Sequence, residues 1–274
     1  MRQIIENYNK EYKEYKGKIY FKLIYLIILF GSFFVPTIIY YNETLFVRIL
    51  FWIFASIISI LLILMFAFML YKTERPMYDY LYKKILDKVF EDDSTHFEYE
   101  CFPSQYPFIE KGHLFNKAHS EVVRYRLTYH YLNNRIDMYS FYSYSKYHKS
   151  NQLVFNGIYF VLHCENKSVF QVRTKGRLPY ENKDLRKVES SDMHDIYLKD
   201  NHVLPLYIHG LFDFIRHQFD YSVYISGANK EVHIAIHRLY DNLAIKEINE
   251  EKLEELKNQL RFLIQLGKDM YKIL

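Results

Sequence analysis

The chain has 274 residues, enough for one or two domains, and half of them are hydrophobic. Lysine and arginine number 36 against 32 aspartate and glutamate residues, so the formal net charge is only +4. Dedicated nucleic-acid-binding proteins usually carry a larger, localised basic excess, and we therefore expect no nucleic-acid partner. The two cysteines, Cys101 and Cys164, are too few for a disulfide framework or a zinc motif.

Two long apolar segments follow a polar tail of residues 1–18. Residues 19–41 contain a single charged side chain, Lys22, and residues 45–71 contain only Arg48. Crossing the apolar layer of a bilayer takes about 20 apolar residues. Because neither segment has a polar face, buried core helices fit less well than helices in lipid. The sequence thus predicts a transmembrane helical hairpin over residues 19–71, with the lipid bilayer as a partner.

The orientation of this expected hairpin follows from its flanking charges. The linker of residues 42–44 is so short that both outer ends must emerge on one side. By the positive-inside rule, the basic flanks predict a two-span cell-membrane protein with both termini in the cytoplasm. The basic flanking residues are Arg2, Lys10, Lys13, Lys16 and Lys18 before the hairpin, and Lys72, Arg75, Lys83, Lys84 and Lys88 after it. The tail itself could lie on the bilayer, pack on the main domain, or be solvated.

Residues 72–274 read as a cytoplasmic α+β domain of antiparallel strands packed with helices. Residues 123–131 alternate between apolar and polar side chains, which is the period of a half-buried strand, and Asn133-Asn134 marks a hairpin turn. The strands come in runs between helices, not in alternating βαβ units. Further strands are predicted at 136–145, 153–164, 169–173, 221–226 and 231–238, with helices at about 203–219 and from about 249 onward.

Three segments carry a resemblance to a known family: FNGIYFVLHC at 155–164, MHDIYLKDNHVLPLYIHGLFDFI at 193–215, and VYISGANKEVHIAIHRL at 223–239. In this order, behind two apolar segments, they resemble an uncharacterised group of bacterial membrane-anchored proteins catalogued as domain of unknown function 3137. The resemblance covers most of residues 77–265. It implies a fold and a topology but no activity, since the family has none assigned.

The search for chemistry finds no catalytic motif, metal site or cofactor site. His233 and His237 have the spacing of a chelating pair on a helix, but they lie in a segment that reads as a strand. Four residues along a strand separate their Cβ atoms by about 13 Å, too far for one ion. His163 and Cys164 are adjacent, but neighbours on a strand point to opposite faces. We therefore expect a protein that is not an enzyme, although the sequence leaves this open.

The polar face of the predicted sheet is the best candidate for an interaction surface. The expected function is a membrane-anchored cytoplasmic module that binds a protein partner or regulates a process at the inner leaflet. The alternative is a tethered enzyme or small-molecule sensor with a pocket between the sheet and the C-terminal helices. A homo-oligomer is compatible with either. The expected lipid- or partner-facing residues are Arg124, Arg126, His130, Lys146 and Lys149.

Overall fold

The fold is taken from a computed structural model of the chain. It describes residues 2–39, 97–104, 108–115, 120–147, 150–175, 184–219, 222–237, 239 and 248–274, with isolated helical positions between 49 and 87. The chain divides into two compact units. The first unit contains Met1–Lys84 and Ala244–Leu253, and the second contains Ile85–Leu243 and Glu254–Leu274. The boundaries expected from the sequence, at residues 18 and 71, stay predictions.

The described residues form four helices and nine strands. The helices are α1 (Arg2–Ile39), α2 (Phe108–Gly112), α3 (Tyr207–Gln218) and α4 (Glu250–Ile273). The strands are β1 (Phe97–Cys101), β2 (Ser120–Tyr131), β3 (Asn134–Tyr147), β4 (Ser150–His163), β5 (Phe170–Thr174), β6 (Leu185–Ser190), β7 (His194–Lys199), β8 (Val223–Ala228) and β9 (Glu231–His237).

All nine strands join one antiparallel sheet in the order β1-β2-β3-β4-β9-β8-β5-β7-β6. The expected α+β class with antiparallel strands is therefore present in the second unit. The sequence suggested a meander of three or four strands and a separate hairpin, and the pairing of β4 with β9 merges these into one sheet. Tight turns join β2 to β3 and β8 to β9, and their central residues have positive φ, which is the geometry that suits two-residue hairpins. These residues are Leu132, Asn133, Asn229 and Lys230.

The expected transmembrane hairpin is not supported. Within the part of the chain that the structure describes, no helix is long and apolar enough to cross a membrane. The first apolar segment and the charged tail belong to one helix, α1, which runs unbroken from Arg2 to Ile39. The expectation of a two-span cell-membrane protein with cytoplasmic termini is thereby wrong. The second expected span, residues 45–71, falls outside the described residues except for isolated positions.

In the first unit, the side chain of Asn9 forms two hydrogen bonds with the backbone of Ile248. Asn9 of α1 donates from Nδ2 to the carbonyl of Ile248 at 2.8 Å, and its Oδ1 accepts from the N–H of the same residue at 3.0 Å. Tyr8 and Tyr12, on neighbouring turns of α1, are buried. The N-terminal half of α1 is thus a helix that packs against the segment around Ile248 within the first unit.

Replacing Asn9 with leucine is expected to lower the free energy of unfolding of the first unit by about 2 kcal/mol, because the buried polar groups of Ile248 lose both partners. Urea denaturation, followed by cleavage near residue 248 with a protease, measures the change. Asn9→Asp is the matched control, since its carboxylate still accepts from the Ile248 N–H and should lose less. Equal losses in the two variants would show that the paired hydrogen bonds are unimportant.

Both faces of the nine-stranded sheet carry buried side chains. On one face Tyr129 donates from its hydroxyl to the carbonyl of Ile264 in α4 at 3.2 Å. The opposite face carries an aromatic cluster that α2 covers, with Phe108 stacked on Tyr139 at a centroid distance of 4.0 Å. Gly157 of β4 has no Cβ that would collide with the carbonyl of Ile236, and this lets β9 lie close to β4.

Candidate functional site

A histidine–carboxylate cluster, consisting of Asp137, His163, Glu231 and His233, lies at the edge of the face that α2 covers. In antiparallel pairs, directly opposite side chains share a face of the sheet. Glu231 of β9 is opposite His163 of β4, and Val161 stands opposite both His233 and Asp137. The register of β3, β4 and β9 therefore brings the four polar side chains to one place on the sheet.

Asp137 is the most fully bonded member of the cluster. Its Oδ1 accepts from Thr128 Oγ1 at 2.5 Å and from Arg135 Nε at 3.0 Å, and its Oδ2 lies 2.9 Å from His163 Nε2. Burial alone would raise the pKa of this carboxyl. The bonds from His163, Thr128 and Arg135 outweigh burial and hold the pKa of Asp137 below its usual value. Asp137 is thus an ionised and buried group at neutral pH.

His163 bridges the two carboxylates and is about one-third exposed. Its Nε2 faces Asp137, and its Nδ1 lies 3.4 Å from Glu231 Oε1. A general base needs a ring nitrogen that is free to accept the proton of a substrate. Because a carboxylate occupies each nitrogen of His163, the arrangement suits a fixed electrostatic link better than a catalytic base.

Glu231 extends the cluster toward the interior of the sheet. Lys111 of α2 approaches its Oε1 at 3.6 Å, and His233 Nε2 lies 3.2 Å from its Oε2. His233 Nε2 and Glu231 Oε2 are close enough for an ion pair when the ring is protonated, but they do not form a hydrogen bond. Burial would raise the pKa of Glu231, but His233, Lys111 and His163 hold it below its usual value.

His233 is completely buried, and burial lowers the pKa of its ring against the opposing effect of Glu231. Its Nδ1 lies 3.2 Å from the hydroxyl of Tyr159, which also reaches the carbonyl of Phe108 at 3.5 Å. Burial raises the pKa of Tyr159, so this phenol stays protonated. A hydrogen-bonded chain thus runs from the polar cluster to the start of α2.

The cluster does not form a metal site. Among the residues described, no group of three histidine, cysteine or acidic side chains is arranged to hold an ion. His233 and His237 both lie on β9, as the sequence predicted, and they have different neighbours: His237 Nδ1 accepts from the backbone N–H of Asn156 at 3.3 Å. Cys164 is half-buried, and burial raises the pKa of its thiol, which disfavours a reactive thiolate.

The residues expected to face lipid or a partner lie elsewhere on the sheet. Arg124 stacks on the ring of Tyr142 at 5.2 Å, and Arg126 forms an ion pair with Glu100 at 3.0 Å. His130 is exposed near the end of β2. Lys146 is in β3, and Lys149 falls in the short gap between the described segments. The interaction of these five residues with lipid, protein or a second copy of the chain stays a prediction.

Sequence reasoning singled out His163 but missed its carboxylate partners. Asp137 interrupts the apolar run of residues 136–142, and an acid at an otherwise apolar position of a strand is a usable sign of a buried polar network. Glu231 gave no such sign, because an acid that follows a hairpin turn is ordinary. Its role depends on the register of β4 and β9.

A second feature, the loop surface, comprises β6, residues 200–206 and the first turn of α3. Its apolar side chains are Val188, Val203 and Leu206, of which Val203 is 80% and Leu206 is 98% exposed. Polar side chains of these parts lie close to one another. Arg186 of β6 lies 3.6 Å from Asp200 at the start of the loop, and Glu189 of β6 lies 3.3 Å from His209 of α3.

The loop that carries these apolar side chains is braced by hydrogen bonds. Ser168 donates from Oγ to the carbonyl of Val203 at 2.5 Å, and the N–H of Val169 donates to His202 Nδ1 at 3.2 Å. Tyr207, just after the loop, donates to Asn166 Oδ1 at 3.1 Å. A fixed backbone presents Val203 and Leu206 to solvent, which reduces the entropy that a partner must remove on binding.

Comparison with known proteins leaves the chain without an assigned family. No protein-family description matches it, and no curated protein is similar to it. A solved structure of the mycobacterial trehalose monomycolate transport factor A, TtfA, is similar at 9% sequence identity over 67% of this chain and 94% of that one. The TM-score is 0.34, too low to carry any conclusion about this chain.

Proposed function

We propose that the chain is a protein-interaction or regulatory module and that the loop surface is where its protein partner binds. The observation that carries the proposal is the almost complete exposure of Leu206, beside Val203, on a loop that hydrogen bonds hold in place. Single exposed apolar residues are common. Two of them on one loop whose backbone is held by hydrogen bonds offer a preorganised apolar contact to a protein partner.

The charges around the loop surface favour a protein over a polyanion. The basic side chains there already face acids: Arg186 with Asp200, and Lys187 with Asp195 at 2.9 Å. Nucleic acids are held by basic groups that are available to phosphates. A protein partner that offers an apolar pocket to Leu206 and exchanges ion pairs at the rim fits this surface better.

The alternative of an enzyme or sensor with a pocket between the sheet and the C-terminal helices has less support where α4 meets the sheet. Gly267 of α4 lies directly on Tyr129, so that an added Cβ would collide with the tyrosine hydroxyl. Phe160 and Leu263 are buried in the same layer. Close packing at these positions leaves little room for a ligand there, which supports the interaction module.

The proposal is tested by placing a photo-crosslinking amino acid at position 203 of the full chain and identifying the protein that it captures from cells of the source organism. That protein is then purified, and its affinity for the wild-type chain is measured. Leu206→Asp is expected to weaken binding about thirtyfold, the effect of losing a central apolar anchor. Its side chain is exposed, so the stability of the fold should not change.

Leu132→Asp is the matched control, because Leu132 is also exposed but lies in the turn between β2 and β3. The control variant should bind like the wild type. Capture of a protein is not sufficient on its own. The proposal fails if the purified protein binds the Leu206→Asp chain as tightly as the wild-type chain, or if nothing is crosslinked from position 203.

A further inference from the structure

The buried ring of His233 is sealed by the segment we call the α2 cap, residues 108–115. Gly112 lies so close to the ring that an added Cβ would be 2.9 Å from His233 Cγ and Nδ1. The imidazole has no exposure to solvent. Movement of the cap away from the sheet would therefore open the ring to water.

A small set of polar contacts and four apolar side chains hold the cap in place. Gln171 donates from Nε2 to the carbonyl of His113 at 2.7 Å, and Ser226 donates from its hydroxyl to the carbonyl of Gly112. Lys111 pairs with Glu231, and Tyr159 reaches the carbonyl of Phe108. The buried side chains of Phe108, Ile109, Leu114 and Phe115 make an open cap rare at neutral pH.

Among the described residues, the charged groups that act on His233 come from the sheet and from the cap. Glu231 of β9 favours a charged ring, whereas His163 of β4 and His113 of the cap disfavour it. Lys111 of the cap and His163 compete for the same Glu231 carboxylate. Tyr159 of β4 faces Nδ1, and Asp137 and Arg135 of β3 act on His163. The Glu231 carboxylate is thus shared and is not aligned with His233 Nε2.

We propose that acidification opens the α2 cap, because His233 gains a proton far more readily once the cap has lifted and water solvates the ring. When the cap is closed, an imidazolium would be buried beside a carboxylate that already serves Lys111 and His163. With the cap open, the ring has the ordinary pKa of a solvated histidine, about 6.5. Protons therefore favour the open form below that pH.

Hydrogen exchange of the full chain, measured by mass spectrometry between pH 7.5 and 5.5, tests the proposal. After correction for the pH dependence of intrinsic exchange, protection of the peptide that covers residues 108–115 should fall on acidification. The protection factor should fall by at most about tenfold per pH unit below pH 6.5, because opening of the cap is linked to the uptake of one proton by His233. A peptide from α3, residues 207–218, serves as the internal reference and should change less.

Two variants assign the effect to His233. His233→Gln should remove the pH dependence of the cap, whereas His217→Gln, which changes an exposed histidine of α3, should leave it intact. The proposal is overturned if the wild-type cap shows the same corrected protection at both pH values. It is also overturned if His233→Gln folds and keeps the pH dependence. If that variant does not fold, the His233 ring of the wild-type chain is followed by NMR instead. It must then gain its proton over the same pH range in which protection of the cap falls, and a different range overturns the proposal.

Discussion

Replacing Phe141 with alanine is expected to lower the free energy of unfolding of the second unit by about 4 kcal/mol, the usual cost of removing a buried phenylalanine. Phe141 lies on β3 opposite Val123 and Gly157 and is almost completely buried. Its ring stacks on Phe155 at a centroid distance of 5.4 Å and meets Phe108 edge-on at 5.6 Å. Phe141 thus contacts both the sheet and the α2 cap.

The loss should be large because the cavity cannot close easily. The neighbours of Phe141 are rings fixed by other contacts, such as Phe115 packed on Tyr224 at 5.4 Å. Rigid surroundings leave the cavity open and add its cost to the lost burial of the side chain. Urea denaturation followed by near-ultraviolet circular dichroism measures the effect.

Phe262→Ala is the matched control for this prediction. Phe262 lies on α4, is 45% exposed and contacts Phe219 at its edge. Phe262→Ala should lower the free energy of unfolding by about 1 kcal/mol, because folding removes little of the Phe262 ring surface from water. Similar losses for the two variants would mean that the aromatic cluster is not the rigid core described above.

Replacing Asp137 with alanine is expected to lower the free energy of unfolding by about 3 kcal/mol, because a buried, ionised carboxylate that accepts hydrogen bonds from Thr128 and Arg135 is lost. Thr128 and His163 would lose their acceptor, and Arg135 would lose its counter-ion. Asp137→Asn should cost less, since the amide oxygen still accepts one hydrogen bond. Asp192→Ala, which changes an exposed acid in the turn after β6, should have almost no effect.

The pH dependence of stability separates a charge effect from a packing effect at this site. The pKa of Asp137 is lower in the folded chain than its usual value. Its contribution is therefore present at pH values above the usual carboxyl pKa and is lost as the pH falls through the lower folded value. Urea midpoints measured between pH 7 and pH 3 should fall less steeply for Asp137→Asn than for the wild type. Parallel pH profiles would contradict an ionised Asp137.

Several features of the fold could be predicted from local pattern. The alternation of residues 123–131 indicated a strand and the Leu-rich stripe after residue 249 indicated a helix, and these correspond to β2 and α4. The turn between β2 and β3 was predicted one residue away from its observed place, and the strands predicted at 221–226 and 231–238 leave room for the turn between β8 and β9. Turns of this kind depend on a few neighbouring residues, so the local sequence can indicate them. The period of side chains along a segment depends on the backbone alone, which is why these predictions succeeded.

The membrane prediction failed for a reason that is also physical. The apolar length of residues 19–41 predicted a span, but most of these residues share one helix with the charged tail, and no described helix is long and apolar enough to cross a bilayer. A run of apolar residues shows that a segment avoids water, but it does not show what covers it. The paired hydrogen bonds between Asn9 and Ile248 fix the charged tail of α1, whereas Phe21, Ile24 and Ile27 of the apolar segment are exposed.

The sequence by itself determined the antiparallel α+β character of this chain, its hairpins and the absence of a recognisable catalytic motif, because all three depend on residues close together along the chain. Only the tertiary structure decided that Asp137, His163 and Glu231 meet, since their contact requires one particular register between β3, β4 and β9. It also decided that Leu206 is exposed while Phe141 is buried. Both side chains are hydrophobic, so hydrophobicity alone does not predict which of them is buried. The packing of the folded chain decides which one lies in the core and which one is available to a partner.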